Sequence, residues 1–349
     1  MNHLIDKKKW ADPEWHLKNR VYIQEFIRLS GKTVNNINKS SESSQYLSIT
    51  PHFASLIDPN NTDDPVLRQI VPVINNEGTG DCFSEKIEKS VLPGVIRRYH
   101  DRIIVTPTNR CACYCAYCTR KWNWDTGQVF DESYSSQLKD YLNKNREIRE
   151  VIITGGEPLL LSVSKIEKLL FFFKGIKTIE SIRIGTRALT FLPQLFTADM
   201  IKVLKKYRPL SIMTHFNHPS EIVKETLNAI DLIRLSGNQL YNQSVLLKGV
   251  NDDAGVLKKL FYRLQSAGIK PYYLFNCDLV PNADEYRVDI RDALNIMNSL
   301  RSELGGLSLP ELIVDHPEAG KTIITDGSIV EEGSKLFVKK NGKLYEYAS

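Results

Sequence analysis

From residue 102 onwards the sequence alternates short runs rich in β-branched residues with amphipathic segments, and this repetition constrains the fold more than any other feature. Such an alternation predicts repeated βα units in an α/β protein. Parallel strands joined by right-handed crossovers form a barrel or an open sheet, and its carboxyl-terminal strand edge carries the chemistry. The candidate strands are 102–107, 150–155, 181–186, 210–216, 240–250 and 270–278, and the candidate helices are 132–145, 165–174, 197–207, 220–236, 253–267 and 289–304.

The segments on either side of this repetition predict two further parts of the chain. Before it, residues 15–29 have the apolar spacing of a helix. After it come a strand-like run at 311–316 and two alternating runs around Asn341-Gly342, a residue pair typical of a tight β-hairpin turn. We therefore expect an N-terminal helical and irregular layer, a unit of six βα repeats and a C-terminal extension with a β-hairpin, at residues 1–95, 96–306 and 307–349.

The composition restricts the class of protein. Of the 349 residues, 42% are hydrophobic and 25% are charged, which argues against disorder and against membrane spanning. The net charge of +5 is spread along the chain, so no basic block favours nucleic-acid binding, whereas anionic small ligands remain open. The N-terminal residues contain no apolar run that could act as a signal peptide, and we expect a cytoplasmic location.

Four of the six cysteines crowd into eight residues after the first candidate strand. Cys111, Cys115 and Cys118 form C-x3-C-x2-C, and no fourth cysteine has the standard spacing. In a 4Fe-4S cluster three thiolates leave one iron open, which can bind S-adenosylmethionine and pass it the electron that generates an adenosyl radical. A zinc site that also uses Cys113 is the alternative, but Cys113 lies two residues from two other ligands and fits tetrahedral binding poorly.

This motif resembles that of the radical S-adenosylmethionine superfamily, and a second motif agrees with it. The second candidate strand ends in Thr154 and Gly155-Gly156-Glu157-Pro158, where small residues let the backbone approach a ligand amine. Taken alone, this segment is an ordinary strand-to-helix turn. Because it lies one βα unit after the cysteine loop, the resemblance implies that Gly155, Gly156 and Glu157 help to bind the methionyl part of S-adenosylmethionine.

Longer stretches between residues 50 and 325 resemble the lysine 2,3-aminomutase family, among them LIDPNNTDDPVLRQ, PGVIRRYHDR, THFNHP, NQSVLLKGVND and PYYLFNCDL. With the six βα units, this favours a partial (βα)6 TIM-like barrel. The resemblance implies a further cofactor, pyridoxal 5'-phosphate, which forms an imine with the substrate amine while nitrogen moves from C2 to C3. It also implies that Lys321 carries this cofactor, in a segment one residue shorter than the family's glycine run.

Residues in three further places match cofactor-binding positions of the family. Arg98, Tyr99 and Arg102 match residues that contact pyridoxal phosphate, and arginine forks suit a phosphate. A basic surface turn is the alternative for this segment. His215 and Gln243 match positions near the adenosyl group, and buried hydrogen-bonded strand residues are the alternative for them.

Charged residues at the strand ends predict the substrate. Arg120 matches the family's carboxylate-binding arginine, and Asp278 and Asp315 match the two carboxylates that hold the distal ammonium of lysine. Alone, each could be a solvated arginine or a turn residue, but a glutamate-specific enzyme would need a cation in place of the aspartates. The resemblance therefore implies a free basic amino acid as substrate, L-lysine ahead of L-arginine or ornithine.

Two other functions remain as alternatives. The first is an enzyme that acts on a protein-bound lysine of elongation factor P, which the joint presence of two aspartates opposes. The second is a non-catalytic iron-sulfur redox sensor, which would need neither Lys321 nor the glycine turn. As partners we expect the amino acid substrate, an electron donor such as flavodoxin or ferredoxin, and in a homo-oligomer a second copy of the chain.

Some positions depart from the family pattern. Phe275 stands where the family tends to place a tyrosine near the cofactor, so a hydroxyl contact is lost. Trp122 and Trp124 follow the cysteines where the family is rich in arginine, and core packing is an alternative to a place in the pocket. The chain has no cysteine after Cys277, so we expect no counterpart of the C-terminal zinc site of longer members.

Overall fold

The alternation that starts at residue 102 folds into a ten-stranded sheet at the centre of an α/β structure. The computed structural model describes residues 8–23, 48–61, 63–71, 82–83, 85, 89–124, 128–280 and 283–347. Its strands are β1 (Val21–Tyr22), β2 (Ser48–Ile49), β3 (Ser90–Leu92), β4 (Val95–Tyr99), β5 (Arg102–Val105), β6 (Glu150–Ile153), β7 (Ser181–Gly185), β8 (Ser211–Thr214), β9 (Gln239–Leu246), β10 (Lys270–Asn276), β11 (Glu311–His316), β12 (Gly320–Ile323), β13 (Ile329–Glu332), β14 (Lys335–Lys340) and β15 (Lys343–Glu346).

The helices follow the strands as the sequence predicts, with ends that differ by a few residues. The α-helices are α1 (Pro13–Lys18), α2 (Pro51–Ala54), α3 (Pro65–Arg68), α4 (Ser135–Lys144), α5 (Val163–Lys174), α6 (Ala188–Phe191), α7 (Ala198–Lys206), α8 (Lys224–Leu235), α9 (Ala254–Ser266) and α10 (Ile290–Glu303). Among the residues that the structure describes, none of the helices has the length and apolar character needed to cross a membrane.

The order of strands in the large sheet is β12-β11-β10-β9-β8-β7-β6-β5-β4-β3. Strands β5 to β11 are parallel, so the run at 311–316 adds a seventh parallel strand to the six that the repetition predicts. Both margins are antiparallel, with β3 and β4 at one end and β12 at the other. The prediction of an α/β protein with a mostly parallel sheet is confirmed.

The core lies between this sheet and its covering helices. Helix α5 shows the pattern, because its buried residues Ile166, Leu169, Leu170 and Phe173 recur at helical spacing and share one face. Its N-terminus is capped by Ser162, whose side chain accepts a hydrogen bond from the Lys165 amide. Burial of such apolar faces holds the helices on the sheet and leaves the strand ends free for polar loops.

The N-terminal layer differs in part from its prediction. The helix expected over 15–29 ends at Lys18, and Val21–Tyr22 instead pairs with Ser48–Ile49 as a short antiparallel ladder. The prediction of helix is therefore wrong for 19–22, because tertiary pairing of β-branched Val21 overrides the apolar spacing. Residues 24–29 lie outside the described residues.

The C-terminal extension contains the predicted hairpin. Strands β14 and β15 pair across Asn341 and Gly342, whose φ angles are 50° and 79°. Positive φ at both central residues is typical of a tight hairpin turn and suits asparagine and glycine. The hairpin docks on the large sheet, because Tyr347 Oη accepts a hydrogen bond of 2.9 Å from Asn276 Nδ2.

Candidate active site

The polar residues predicted to be functional gather where the parallel strands end. The cysteine loop follows β5, the glycine turn follows β6, and His215 directly follows β8. Asp278 lies two residues beyond β10, and Asp315 lies near the end of β11. Because the carboxyl ends of parallel strands share one sheet edge, these segments meet in a single region.

The glycine turn after β6 packs directly against the cysteine loop. A Cβ atom on Gly156 would lie 2.4 Å from the Arg110 carbonyl oxygen, and one on Gly155 would lie 2.8 Å from Thr106 Cβ. The amides of Gly156 and Glu157 donate hydrogen bonds of 2.8 Å to the carbonyls of Thr108 and Arg110. The two glycines therefore hold the cysteine loop in position, a role that the sequence did not reveal.

The three predicted cluster ligands are partly exposed, whereas Cys113 is buried. Burial, followed by the neighbouring Cys118 thiol, raises the pKa of Cys111, and burial raises the pKa of Cys118 to about 11. Cys113 packs among the apolar residues of the N-terminal layer, and its Sγ accepts a hydrogen bond of 3.4 Å from the Thr50 amide. Cys113 is therefore held by the N-terminal layer.

The donor set of the loop fits an iron-sulfur cluster. Cys111, Cys115 and Cys118 all lie in the loop after β5, and Cys115 Sγ accepts a hydrogen bond from Arg187. Iron-sulfur clusters use thiolate ligands with hydrogen bonds to sulfur. Among the described residues no three His, Cys, Asp or Glu side chains are grouped around one metal position, and this includes the cysteines of the loop. Cys113, which the zinc alternative needs as its fourth ligand, is instead buried in the N-terminal layer.

Arg187, which the sequence did not single out, connects several of these segments. Its guanidinium donates 2.9 Å and 2.8 Å hydrogen bonds to Cys115 Sγ and Glu221 Oε1 and a further one to Gln69 Oε1, and its backbone amide donates to Glu157. Arg187 lies two residues beyond the end of β7, so the rule that functional residues come just after strands could have found it.

Glu157 is saturated by protein donors. Its carboxylate accepts hydrogen bonds from Thr186 Oγ1 at 2.7 Å and from the amides of Arg187 and Leu159 at 2.8 Å and 3.1 Å. Burial raises its pKa to about 7. This carboxylate joins the turn after β6 to the turn after β7, and its role toward S-adenosylmethionine stays a prediction.

The two residues predicted near the adenosyl group occupy different settings. The His215 ring stacks on Tyr117, with Nε2 3.1 Å from Tyr117 Oη, and burial places the pKa of His215 well below its usual value. Gln243 lies on β9 between Asn242 and Ser244, which are fully buried and hydrogen-bond to the Phe216 carbonyl. Since side chains alternate along a strand, Gln243 faces the opposite side of the sheet from these two.

Lys321 lies on β12 in register with Asp315 on β11. Its Nζ is 5.5 Å from the ring centre of Tyr273 and 5.1 Å from that of Phe275. Burial lowers the pKa of Lys321 to about 8 although Asp315 acts in the opposite direction. Phe275, where the family tends to have tyrosine, is thus a direct neighbour of this amine.

Arg98 and Asp315, predicted to bind a phosphate and a substrate ammonium, bind each other. Arg98 Nη2 donates to Asp315 Oδ1 at 2.6 Å and Nη1 to Oδ2 at 3.1 Å. The side chains are only 6% and 9% exposed, and Phe83 lies under the guanidinium at 3.9 Å. This pair joins β4 to β11, strands near opposite ends of the sheet, and therefore requires a strongly curved sheet.

The other two predicted phosphate residues form a stacked pair. The Arg102 guanidinium lies over the Tyr99 ring at 4.0 Å and forms an ion pair with Asp101 at 2.9 Å. Tyr99 Oη is buried near the Lys321 backbone, and within the described part of the chain it has no hydrogen-bond partner of acceptable geometry. An orphaned hydroxyl beside a guanidinium and a buried amine suits an anionic ligand such as pyridoxal phosphate.

The remaining substrate residues differ in their partners. Among the described residues Asp278 has no side-chain hydrogen bond or ion pair, and burial and Asp315 raise its pKa to about 8. Arg120 forms an ion pair of 3.1 Å with the buried Glu85. Trp124 packs edge-to-face on Tyr114 at 4.7 Å, so it covers the cysteine loop, whereas the side chain of Trp122 lies outside the described residues.

Comparison with known proteins identifies the family of the chain. Residues 105–261 match the family model of the radical SAM superfamily. The chain is 33% identical to the L-lysine 2,3-aminomutase of Clostridium subterminale, with 97% of this chain and 83% of that protein covered, and 36% identical to that of Methanococcus maripaludis, with 97% and 81% covered. It is also 34% identical to the glutamate 2,3-aminomutase of Clostridioides difficile, with 94% and 80% covered.

Identity at this level over nearly the whole length establishes the family. A radical SAM domain implies S-adenosylmethionine and a 4Fe-4S cluster as cofactors, and the relatives are isomerases by name. The chain is therefore an enzyme that belongs to the radical SAM aminomutase family of lysine and glutamate 2,3-aminomutases.

Proposed function

We propose that this enzyme is a cytoplasmic, pyridoxal phosphate-dependent 2,3-aminomutase that converts L-lysine to β-lysine in a partial (βα)6 barrel. The observation that carries the proposal is the meeting of one buried lysine and two aspartates at one end of the sheet. Lys321 and Asp315 are in register on adjacent strands. Asp315 partly offsets the lowering of the Lys321 pKa by burial, and it raises the pKa of Asp278.

Lys321 is suited to hold the cofactor. An amine must lose its proton before it can act as a nucleophile, and the pKa of about 8 gives Lys321 a larger neutral fraction near pH 7 than an exposed lysine has. Arg102 and the orphaned Tyr99 hydroxyl provide donors for the phosphate. Bound pyridoxal phosphate supplies a carbonyl for the substrate amine and a π-system that delocalises an unpaired electron, and the cluster with S-adenosylmethionine supplies the initiating radical.

The charges near Lys321 support a basic substrate. Asp278 is a partly buried carboxylate without a partner among the described residues, and Asp315 lies close enough to raise its pKa. A substrate ammonium placed between them gains charge-assisted hydrogen bonds of roughly 1.5–3 kcal/mol each. An acidic side chain would instead add a third carboxyl group to the same region.

Other basic amino acids and a protein-bound lysine are the alternative substrates. L-arginine and ornithine also present a cation, at a different distance from the α-carbon. A lysine side chain of elongation factor P would have to enter with its polypeptide, and the relatives named for free amino acids favour the small substrate. We also propose that flavodoxin or ferredoxin supplies the electron and that the chain forms a homo-oligomer.

The decisive experiment is product analysis after anaerobic reconstitution with iron, sulfide, S-adenosylmethionine and pyridoxal phosphate. The reduced enzyme is incubated with L-lysine, L-ornithine, L-arginine, L-glutamate, L-alanine and elongation factor P, and products are identified by mass spectrometry and NMR. We expect β-lysine as the main product. Efficient conversion of L-glutamate or L-alanine contradicts the basic-substrate assignment and leaves the radical chemistry intact.

The role of Lys321 has its own test. Lys321→Ala should remove the visible absorption of the covalently held cofactor while cluster iron stays unchanged, because the two sites use different residues. Lys335→Ala is the matched control, since Lys335 lies in the same extension and forms only an exposed ion pair with Glu346. Retention of the absorption band in Lys321→Ala means that another lysine holds the cofactor.

A further inference from the structure

The ion pair between Arg98 and Asp315 uses both terminal nitrogens of the guanidinium. Arg98 Nη1 and Nη2 donate to the two carboxylate oxygens of Asp315, and Nη2 is also 3.4 Å from the His316 carbonyl oxygen. One face of the guanidinium is covered by Phe83. A phosphate that binds Arg98 bidentately through these two nitrogens competes with Asp315 for them.

Asp315 has other charged neighbours once it leaves Arg98. Lys321 is its register partner on β12, and Asp278 lies close enough for the two carboxylates to repel each other. Lys321 is the residue proposed to hold the cofactor and is then not free to act as the cation, so Asp315 requires a new one, since a buried carboxylate without a partner is costly. The ammonium of a basic substrate has the charge and the donors that this arrangement lacks.

We propose that Arg98 and Asp315 form a latch in which the phosphate of pyridoxal phosphate displaces Asp315 from Arg98 and thereby releases Asp315 for the substrate ammonium. This rests on the proposed function and adds an order of binding to it. Arg98 thus acts as a positioning residue that keeps the ammonium site closed until the phosphate site is filled. By linkage, the substrate strengthens phosphate binding by the same factor as the phosphate strengthens substrate binding.

The latch can be tested without turnover and without a substrate. The probe is 4-deoxypyridoxine 5'-phosphate, which keeps the phosphate but has no aldehyde to react with Lys321. Its affinity is measured by calorimetry on cluster-reconstituted protein free of pyridoxal phosphate. Asp315→Asn removes the competing carboxylate, so we expect the probe to bind this variant roughly tenfold more tightly or better than the unmodified enzyme.

Asp278→Asn is the matched control, because it removes a neighbouring carboxyl group that has no direct contact to Arg98. Its effect on probe affinity should be clearly smaller than that of Asp315→Asn. Equal tightening in both variants, unchanged or weaker binding in Asp315→Asn, or no binding of the probe to either protein overturns the latch. If Asp315→Asn does not fold, as judged by circular dichroism and iron content, Asp315→Ala takes its place.

A second measurement uses the substrate side of the latch. In the unmodified enzyme the probe should tighten L-lysine binding by about 5- to 150-fold, the usual range of coupling between two sites, and the dephosphorylated probe should not. Arg98→Gln should abolish this coupling, and Arg97→Gln should preserve it, because Arg97 instead pairs with Glu147 at 2.6 Å. Absence of coupling in the unmodified enzyme overturns the latch.

The two proposals fail in different ways. If L-lysine is not converted but Asp315→Asn still tightens the probe, the substrate assignment is wrong and the latch stands. If β-lysine forms while the probe binds both proteins equally, the proposed function stands and the latch is wrong.

Discussion

The side of the sheet that carries the cysteine loop and the side that carries Lys321 hold their polar groups in different ways. On the cysteine side, Arg187 binds Cys115 and Glu221 simultaneously, and Glu157 accepts three hydrogen bonds. On the lysine side, Asp278 has no side-chain partner among the described residues, and Lys321 has a pKa lowered to about 8.

This difference indicates two kinds of site within one fold. A polar network with many internal hydrogen bonds restricts its members to one geometry, which suits a cluster that must stay in place throughout the reaction. Buried charges with few partners are unfavourable alone and gain free energy when a ligand supplies the missing charge. We infer that the polar groups of the cysteine side have their final geometry before ligands bind. On the lysine side, by contrast, ion pairs change when ligands bind.

The largest expected effect concerns the cluster ligands. Cys111→Ala, Cys115→Ala and Cys118→Ala should each abolish cluster iron and activity, because each thiolate binds a different iron. Cys113→Ala should retain both, since Cys113 is buried in the N-terminal layer and bonded to the Thr50 amide. Iron and sulfide assays after anaerobic reconstitution check this, and loss of iron in Cys113→Ala alone would overturn the ligand assignment.

The next effect tests whether the cysteine side is a fixed network. Arg187→Met leaves Glu221, which is fully buried, without its cation, and this should destabilise the fold by roughly 3–5 kcal/mol. Arg234→Met is the matched control, because Arg234 and Asp231 form an exposed pair worth roughly 0–1 kcal/mol. Urea unfolding measures both, and equal losses would contradict the idea of a fixed network.

A third prediction concerns the lysine side. Asp278→Asn should raise the KM for L-lysine by on the order of ten- to a hundredfold, the equivalent of one lost charge-assisted hydrogen bond. Asp315→Asn should raise it by a similar factor, as the second carboxylate. Uncoupled cleavage of S-adenosylmethionine should remain, because neither carboxylate contacts the cysteine side. Steady-state kinetics with L-lysine check this, and an unchanged KM in both variants excludes them as the ammonium site.

The raised pKa of Asp278 adds a pH dependence to this prediction. With a pKa of about 8 in the free enzyme, Asp278 is mainly protonated at pH 7 and ionises as the pH rises through 8. The substrate ammonium keeps its charge over this range, so affinity for L-lysine should increase from pH 6.5 to 8.5. Calorimetry should show that Asp278→Asn reduces this increase, and an unchanged slope would assign the dependence to another group.

The sequence predicts the fold of both sides well but their internal partners poorly. All six predicted βα strands are present, because β-branched runs and helical periodicity are local signals. The pair of Arg98 with Asp315 joins residues that are 217 positions apart, and no local pattern encodes it. The same holds for Arg187, whose partners come from four separate segments.

The glycine turn shows a subtler limit. Its motif predicts a ligand-binding role for Gly155 and Gly156, yet the nearest neighbours of both are atoms of the cysteine loop. A sequence motif records that small residues are needed, and only the packing reveals which atoms need the space. For the N-terminal layer the signal was weaker still, because the short strand at Val21–Tyr22 depends on a partner at Ser48–Ile49.

The smallest expected effect tests whether the N-terminal layer is held as rigidly as the cysteine side. His52 is 1% exposed, and neither of its ring nitrogens has a hydrogen-bond partner among the residues that the structure describes. Burial lowers its pKa to about 3. The unfolded chain, with a pKa near 6.5, takes up a proton first as the pH falls, so stability is complete above 6.5 and declines toward 3. Between pH 7.5 and 5.5 the unmodified protein should lose about 1.4 kcal/mol relative to His52→Leu in urea unfolding. The exposed control His100→Leu should show the same loss as the unmodified protein. Equal pH profiles for the unmodified protein and His52→Leu would mean that His52 is not held in a buried, neutral state by a rigid N-terminal layer.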